Sequence, residues 1–416
     1  MFNKQNFAKK LFHSILTLQF MCVTTFNSLH ACTFVSMANK KISLAGYNED
    51  FLDLRTGIWF IPGTSDSYGC MIWGYDRASY QYQGGVNDQG LFVDMNAINT
   101  DSGWKPDPEK ENMDTDIDMI EFFLKNLASV DDAIEFFKEY NVDLGYIMIT
   151  MADARGESVI FEWNDDQLWV LRKNKTYQIC TNDLLSPAGI PIKNSDIRFD
   201  TADRILQNQS TPSIDLIRRV LSATCAQFDY STTLYSTICD LKNKKIYLYH
   251  FHNYEEVVVF DLKEELAKGE LSYSIPGLFQ VQPYSIEGHK STGRQLGDIL
   301  LQKLIAEKGI KDGISAFQVQ RNYKRIYNKY IVQDWIIKNA ALDFMNKNKT
   351  QEAIEVFKLN TTEFPESSEV YFDLGEAYLR LNQVPLALEN YKKALERDPG
   401  NEKINELLKI LQKNNK

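Results

Sequence analysis

The sequence predicts an α+β domain followed by an all-α repeat region, and three observations carry that division. Between residues 32 and 262, short β-branched and aromatic runs recur between turn signals. After Leu296 the apolar spacing becomes helical. From about Val332 it repeats with a period of 34 residues. At 416 residues one core is too few, and two or three folding units are expected. The formal charge is −10, and −13 once Lys4, Lys9 and Lys10 of the first 31 residues are set aside, which disfavours a phosphate backbone as partner and excludes general nucleic-acid binding. No apolar run reaches the roughly 18 residues that a spanning helix needs, so no spanning membrane segment is expected.

Residues 1–31 read as an export signal: a basic start from Lys4 to Lys10, a mostly apolar stretch from Leu11 to Phe26, and small Ala31 before a cleavage point. The expected location is therefore periplasmic or extracellular. Cleavage after Ala31 makes Cys32 the first residue of the mature chain. Its thiol then has two mutually exclusive fates. Leu29-His30-Ala31-Cys32 partly matches a lipoprotein box, in which the acylated sulfur is a membrane anchor; otherwise the thiol stays free and is a nucleophile. His30 suits the lipoprotein box poorly. The strand Thr33–Met37 also follows at once, where an anchored domain would carry a polar tether. Both features favour the free thiol.

An N-terminal cysteine carries its own base. The α-amine has a reference pKa of about 8, close to the thiol's value of about 8.5, so the amine can take the thiol proton near neutrality. No metal and no cofactor is called for. His250 and His252 alternate at the end of the run Ile246–Phe251 and read as one exposed strand face. Cys22 leaves with the signal; Cys70, Cys180, Cys225 and Cys239 are spaced irregularly without a CxxC, so buried reduced thiols are expected.

The remaining elements follow in order. A turn at Ala38–Lys41 leads to a second strand, Ile42–Gly46, and then to Tyr47-Asn48-Glu49-Asp50. Gly84 to Phe92 reads as strand, tight turn and strand, continuing to Met95-Asn96. Tyr146–Thr150, Ser158–Trp163 and Leu168–Leu171 are short strands, and another ends in Ile179-Cys180-Thr181-Asn182. Ser195-Asp196-Ile197-Arg198-Phe199 precedes a helix over Thr201–Leu206, and Thr233–Asp240 with Lys245–Phe251 forms a hairpin. The helix-start position of Arg198 and the turn-forming tendency of Asn96 and Asp50 each have a plain structural reading as well.

Taken together, these residues resemble the linear amide C–N hydrolases, the group of choloylglycine hydrolases, penicillin V acylases, acid ceramidases and penicillin-forming acyltransferases. Cys32-Thr33-Phe34 followed by Gly46-Tyr47-Asn48-Glu49-Asp50 is similar to their opening, in which an N-terminal Cys precedes a Gly-x-Asn-x-Asp strand. Choloylglycine hydrolases usually carry arginine where this chain has Tyr47, so bile-salt or penicillin V specificity does not carry over. The resemblance, over about residues 32–262, implies a four-layer α/β/β/α N-terminal-nucleophile hydrolase domain. It implies Cys32 as nucleophile, Asp50 holding its amine, and Asn182 as the preferred oxyanion donor with Asn96 as a second. Arg198 would lie near the nucleophile. Losing one oxyanion donor typically costs about 3 kcal/mol in the transition state.

Beyond Leu262 the chain is turn-rich from Gly269 to Gly293, and helical patterning resumes at Leu296–Ile305 and continues past Gly309 and Gly313. Tyr371, Leu374, Gly375, Tyr378, Ala387, Tyr391, Ala394 and Pro399 match the tetratricopeptide spacing. Thirty-four residues earlier, Ile337, Ala340, Ala341, Phe344, Ala353, Phe357, Asn360 and Pro365 form a degenerate copy in which only Asn360 misfits. Asn401–Gln412 is the capping helix. Two copies fall below the roughly three needed to stand alone, so the array is expected to pack on other parts of the chain. It serves as a partner-binding groove or as a packing and self-association module.

The divisions expected are thus a signal peptide (1–31), the hydrolase domain (32–280), a helical linker (281–331) and the repeats (332–416). The activity expected is cleavage of a linear amide of a small-molecule N-acyl substrate through an acyl-thioester on Cys32. The alternatives are acyl transfer at the same site, or a non-enzymatic lipoprotein scaffold. Loops Tyr68–Tyr82 and Asn99–Asp114 would shape the pocket.

Overall fold

The computed structural model describes residues 32–76, 82–98, 102–113, 118–186, 196–228, 231–280, 295–321 and 330–414. The expected export signal (1–31) lies outside these residues, as do parts of the two loops expected to shape the pocket and of the 281–331 segment.

Strands β1 (Thr33–Ala38) and β2 (Ser43–Phe51) form a hairpin whose turn is held by Asn39, its side-chain carbonyl accepting from the amides of Lys41 and Ile42. Next come β3 (Thr56–Ile61), β4 (Cys70–Tyr75), β5 (Tyr82–Asn87) and β6 (Phe92–Ala97). Helices α1 (Met119–Asn126) and α2 (Val130–Glu139) precede β7 (Ile147–Ala152), β8 (Ser158–Asn164), β9 (Gln167–Arg172) and β10 (Tyr177–Cys180). Helices α3 (Ile197–Leu206) and α4 (Ile214–Ala223) precede β11 (Ser231–Asp240), β12 (Lys245–His250) and β13 (Asn253–Asp261), and a short α5 (Leu262–Leu266) leads to β14 (Leu271–Ser274). Asp118, Ser129, Asp196 and Ser213 cap the first four helices by accepting from backbone amides of their first turns.

All these strands pair antiparallel, in two sheets. The first runs β10-β1-β2-β11-β12-β13, with Gln227–Phe228 also on β11; the second runs β9-β8-β7-β6-β5-β4-β3-β14. Side-chain alternation decides what each face meets. Along β1, Val35 and Met37 point to a core shared with Leu206, Leu216, Ile217 and Val220 of α3 and α4, while Phe34 points to the core between the sheets. In the second sheet, Ile72, Val93 and Phe161 pack on Phe123, Leu124 and Phe137 of α1 and α2, while Trp73, Phe92 and Ile160 face the first sheet. Each fully buried Leu or Phe contributes about 1.5–3 kcal/mol by this burial. The order is helices, sheet, sheet, helices: the expected four-layer α/β/β/α arrangement.

Three local expectations are corrected. Strand β2 does not end at Gly46 but runs to Phe51, because the polar run Asn48-Glu49-Asp50 finds buried partners rather than solvent. Helix α3 starts at Ile197 rather than Thr201, because Asp196 supplies the cap. His250 and His252 do not share a strand face: the chain turns at Phe251 (φ 55°), burying His250 against Phe279 and leaving His252 at hydrogen-bond distance (2.9 Å) from the Thr232 hydroxyl. The five described cysteines are free thiols.

The C-terminal part is a row of helical hairpins: α6 (Gly297–Lys308) with α7 (Ile310–Arg321), α8 (Asp334–Asn346) with α9 (Thr350–Glu363), α10 (Ser368–Arg380) with α11 (Val384–Arg397), then α12 (Glu402–Asn414). The helix expected to run past Gly309 breaks there, since Gly309 adopts φ 79°. Leu301, Leu304 and Phe317 of the α6/α7 pair share one core with the repeats. The misfit Asn360 is buried and donates to the Asp334 carbonyl (2.9 Å), fastening α9 to the start of α8.

This row is seated on the sandwich. Leu296, Ile331, Trp335 and Ile336 belong to the inter-sheet core, with Trp335 6.2 Å from the Phe51 ring. Arg55, after β2, bonds Asp53 and reaches Asp298 (2.8 Å), which also accepts from Asn339 (2.9 Å).

Candidate active site

The motif on β2 divides by face. Gly46 lies under α4, where a Cβ would collide with Ile217 and crowd Val35 and Leu221, so only glycine lets the helix close on the sheet. Asn48 donates to the Leu221 carbonyl at the end of α4 (2.9 Å) and accepts from Ser236 (2.7 Å). Asp50 continues that face. Tyr47 and Glu49 point the other way, into the inter-sheet core; the Tyr75 hydroxyl donates to Glu49 (2.5 Å), and Tyr47 donates to the Met95 carbonyl (2.5 Å).

Cys32 stands just before β1. Continuing the registers Thr33↔Asn48 and Phe34↔Cys180 sets it between Glu49 and Asn182. It is 3% exposed, and its sulfur lies 4.0 Å from the Asp50 carbonyl. Burial pushes the thiol well above its ordinary value, Glu49 and Asp50 push further, and polar contacts with Tyr47 and the Asp50 backbone oppose them.

Arg198 ties the site together. From the first turn of α3 it donates to the Cys32 carbonyl (3.1 Å) and to Asn182 Oδ1 (2.9 Å), forks onto its own cap Asp196 (3.0 and 2.5 Å), and stands 3.7 Å from Asp50 Oδ2. Thr233 donates to the other Asp50 oxygen. Burial raises the Asp50 carboxyl to about 8, against the pull of Arg198 and Thr233. Asn182 also donates to the Ala97 carbonyl (2.7 Å). Asn96, on β6, is fully buried and neither its amide nitrogen nor its oxygen has a hydrogen-bond partner.

Cys32, Asp50, Asn182 and Arg198 are therefore in direct contact through Arg198, and Asn96 is the neighbour of the residue that Asn182 holds. Sequence reasoning passed over Thr233, Asp196 and the part played by Tyr47. Asp196 had a visible signal, a helix cap two residues before Arg198; Thr233 had none, since its role depends on strand pairing with Asp50. Beside the site, Asp94 accepts from the Trp73 indole (2.8 Å), and its carboxyl is raised, by burial first and by Glu49 next. Gly84 makes room for this pair: in Gly84→Ala the new Cβ would stand 2.6 Å from Trp73 Nε1 and press on the Asp94 carboxyl. That variant is expected to lose about 2–4 kcal/mol, read as a lower urea midpoint at unchanged m. An unchanged midpoint would contradict it.

A cavity of about 240 Å³ lined by Trp104, Lys110, Phe137, Trp163 and Gln167 lies on the helix-covered face of the second sheet, away from Cys32. No group of three or more metal-ligating side chains occurs among the described residues, and no described helix is long and apolar enough to cross a membrane.

A family profile described as acyl-coenzyme A:6-aminopenicillanic acid acyl-transferase matches residues 44–254, half of the chain. A tetratricopeptide repeat profile matches residues 368–401, the clearer of the two copies. No curated protein matches the sequence. Among solved structures, an arginine-to-leucine variant of conjugated bile acid hydrolase from Clostridium perfringens is 16% identical, covering 58% of this chain and 97% of that one with a TM-score of 0.46. Penicillin V acylase from Agrobacterium tumefaciens is 17% identical, covering 56% and 86% with a TM-score of 0.43. The family match falls within the group that Cys32 and the β2 motif resemble, and on it the chain belongs to the acyl-coenzyme A:6-aminopenicillanic acid acyl-transferase family of enzymes.

Proposed function

We infer that this chain is an exported amidohydrolase in which removal of residues 1–31 makes Cys32 an N-terminal nucleophile. The observation that carries the reading is Arg198, which bonds both the Cys32 carbonyl and Asn182 and faces Asp50, so that residues far apart in sequence converge on one thiol.

In the uncleaved chain, burial beside the Glu49 and Asp50 carboxyls disfavours the Cys32 thiolate. Cleavage supplies the base. The new α-amine takes the thiol proton as sulfur attacks the acyl carbonyl of an N-acyl amide, and the Asp50 carboxylate stabilises the ammonium that forms. Negative charge develops on the carbonyl oxygen, where a side-chain amide donates to it. The ammonium then gives its proton to the departing nitrogen, the C–N bond breaks, and an acyl-thioester remains on Cys32. Water attacks that thioester, passing its proton back through the α-amine to sulfur and releasing the acid. The family match favours a second acceptor, an amine in place of water; products formed with added amines separate the two.

The test uses mature protein and a panel of N-acyl amides. Wild type is expected to release amine, and Cys32→Ala to lose at least about a thousandfold in kcat/KM. Equal rates for the two would overturn the reading, as would a mature chain that begins elsewhere or carries a lipid on Cys32 by intact mass.

A further inference from the structure

A buried carboxyl outside the group around Arg198 grips the main chain of the first sheet. Glu162, on β8, has no accessible surface, and it takes its partners from the backbone rather than from a cation. Phe161 packs under the helices and Ile160 faces the first sheet, so alternation turns Glu162 toward the first sheet as well. There it meets the end of β10: burial first, and Glu162 next, push the Cys180 thiol well above its ordinary value. Its two oxygens accept from successive backbone amides, Oε2 from Leu185 (2.9 Å) and Oε1 from Ser186 (2.6 Å). Those amides have no ladder to join, because β10 ends at Cys180 and residues 181–186 form neither helix nor strand. The Ser186 hydroxyl also accepts from the Asn164 side-chain amide (2.9 Å), a second hold from the same strand.

The segment held in this way carries Asn182. Its side chain accepts from Arg198 (2.9 Å) and donates to the Ala97 carbonyl (2.7 Å). Arginine can only donate and a carbonyl can only accept, so the orientation of this amide is settled, and its nitrogen keeps a second hydrogen for another acceptor. The direction of that N–H depends on where the main chain puts the Asn182 Cα. Ahead of it, the chain is fixed by the pairing of Cys180 with Phe34 on β1. Behind it, the chain is fixed by the amides of Leu185 and Ser186 on Glu162.

Resting on the function proposed above, we propose that Glu162 is a positioning residue. By fixing the backbone that follows Asn182, it aims the second N–H of the Asn182 amide at the carbonyl oxygen of the amide that Cys32 attacks. The polar contacts of the Cys32 sulfur are with Tyr47 and the Asp50 backbone, so Glu162 reaches the site through the main chain and not through the thiol. A donor whose backbone is held from both sides keeps its place while charge develops, which is where preorganisation contributes most.

The experiment compares mature wild type and Glu162→Gln on an N-acyl amide, at a temperature where both are folded. Glutamine keeps the size of the side chain but sets its own NH2 against one of the two amides, so the segment must shift. A misplacement of about 1 Å can cost a hundredfold, and kcat is expected to fall about ten- to a hundredfold with KM changed little. Inhibition by the matching acyl aldehyde is expected to weaken in parallel. That aldehyde adds the Cys32 thiol across its carbonyl, sulfur bonding carbon and the proton passing to oxygen, so its oxygen occupies the oxyanion position. Alkylation of Cys32 by iodoacetamide, in which sulfur displaces iodide and no oxyanion forms, is expected to keep its wild-type rate, read by mass at residue 32. Glu162→Asp, which keeps both oxygens one methylene short, takes the same measurements if the glutamine variant does not fold. A purely structural Glu162 would lower the melting temperature and leave kcat and aldehyde affinity at wild-type values, and with Cys32→Ala inactive that result overturns the positioning role alone. An alkylation rate that falls with kcat overturns it too, since Glu162 would then act through the thiol. Full activity in Cys32→Ala would overturn the reading beneath it.

Discussion

Asp50→Asn is expected to abolish most turnover and to flatten the pH dependence of stability in the uncleaved chain. The first effect follows from contact. On the function proposed above, Asp50, bonded by Thr233 and faced by the Arg198 that also bonds the Cys32 carbonyl, is the carboxylate that would meet the α-ammonium of the cleaved chain. An amide there cannot stabilise that cation, and a loss of at least about a hundredfold in kcat is expected. The second effect follows from linkage. Burial raises this carboxyl from 3.8 to about 8. Below pH 4 the folded and unfolded chains both hold the proton. Between about 4 and 8 the folded chain still holds it while the unfolded chain has lost it, so stability falls as pH rises through that window and levels off above. On the proposed cleavage the new ammonium would pull the carboxyl back down, so a smaller slope is expected afterwards. Urea unfolding at pH 4, 6 and 8 reads this directly. Asp94, raised by burial, and Asp118, raised to about 6, contribute slopes of the same sign, and the wild-type-minus-variant difference isolates Asp50. Identical slopes in uncleaved wild type and Asp50→Asn would refute the argument.

The parts of this site legible in the sequence are those whose chemistry is compressed into a short span. Cys32 beside the expected cleavage point is legible from the residues themselves, whereas the role of Asp50 in Gly46-Tyr47-Asn48-Glu49-Asp50 is what the resemblance to the linear amide C–N hydrolases implies. The strands were legible from β-branched and aromatic runs between turn signals, while the four layers were implied by the resemblance rather than by any local pattern. What resisted reading was any role set across sheets. Tyr47 registers in the sequence only as a departure from an arginine, and its bond to the Met95 carbonyl depends on where β5 stops pairing with β6, which no local pattern encodes. The resemblance ranks Asn182 above Asn96, but the contacts of the Asn182 amide with Ala97 and Arg198 are set across sheets and have no local signal. The early end read for β2 left Asn48, Glu49 and Asp50 off the strand, Asp50 having a plain reading as a turn residue. Each is buried, and each has its partner on a different element. The repeats showed their period, but their seat on the sandwich rests on Trp335, whose place in a helical pattern looks like any other core aromatic.

Cutting the chain after Gln280 is expected to leave little folded, active domain, although the residues implied in the chemistry all precede that point. The helical region does not merely trail from the sandwich. Trp335 packs on Phe51, the residue after Asp50, and Leu296, Ile331 and Ile336 complete the same inter-sheet core. Removing them exposes the end of β2 where the proposed amine-binding carboxylate sits. A buried aromatic lost in this way costs about 3–5 kcal/mol, a large share of the 5–15 kcal/mol that holds most domains. Polar contacts act in the same direction. Asp298 is fully buried and accepts from both Arg55 and Asn339; without it the Asn339 amide loses this acceptor and Arg55 keeps its pair with Asp53. Asp298→Ala therefore tests the seat without removing residues. Arg55 is partly exposed, which moderates the charge contribution, and a loss of about 2–4 kcal/mol is expected. Because Arg55 lies five residues beyond Asp50, kcat should fall along with stability at temperatures where the variant is still folded. If the truncated chain and Asp298→Ala both keep wild-type melting and turnover, the helices are an independent appendage and the coupling is absent. If Asp298→Ala melts lower yet turns over normally below its transition, the seat stabilises the sandwich without ordering the end of β2, and the link to Asp50 fails on its own.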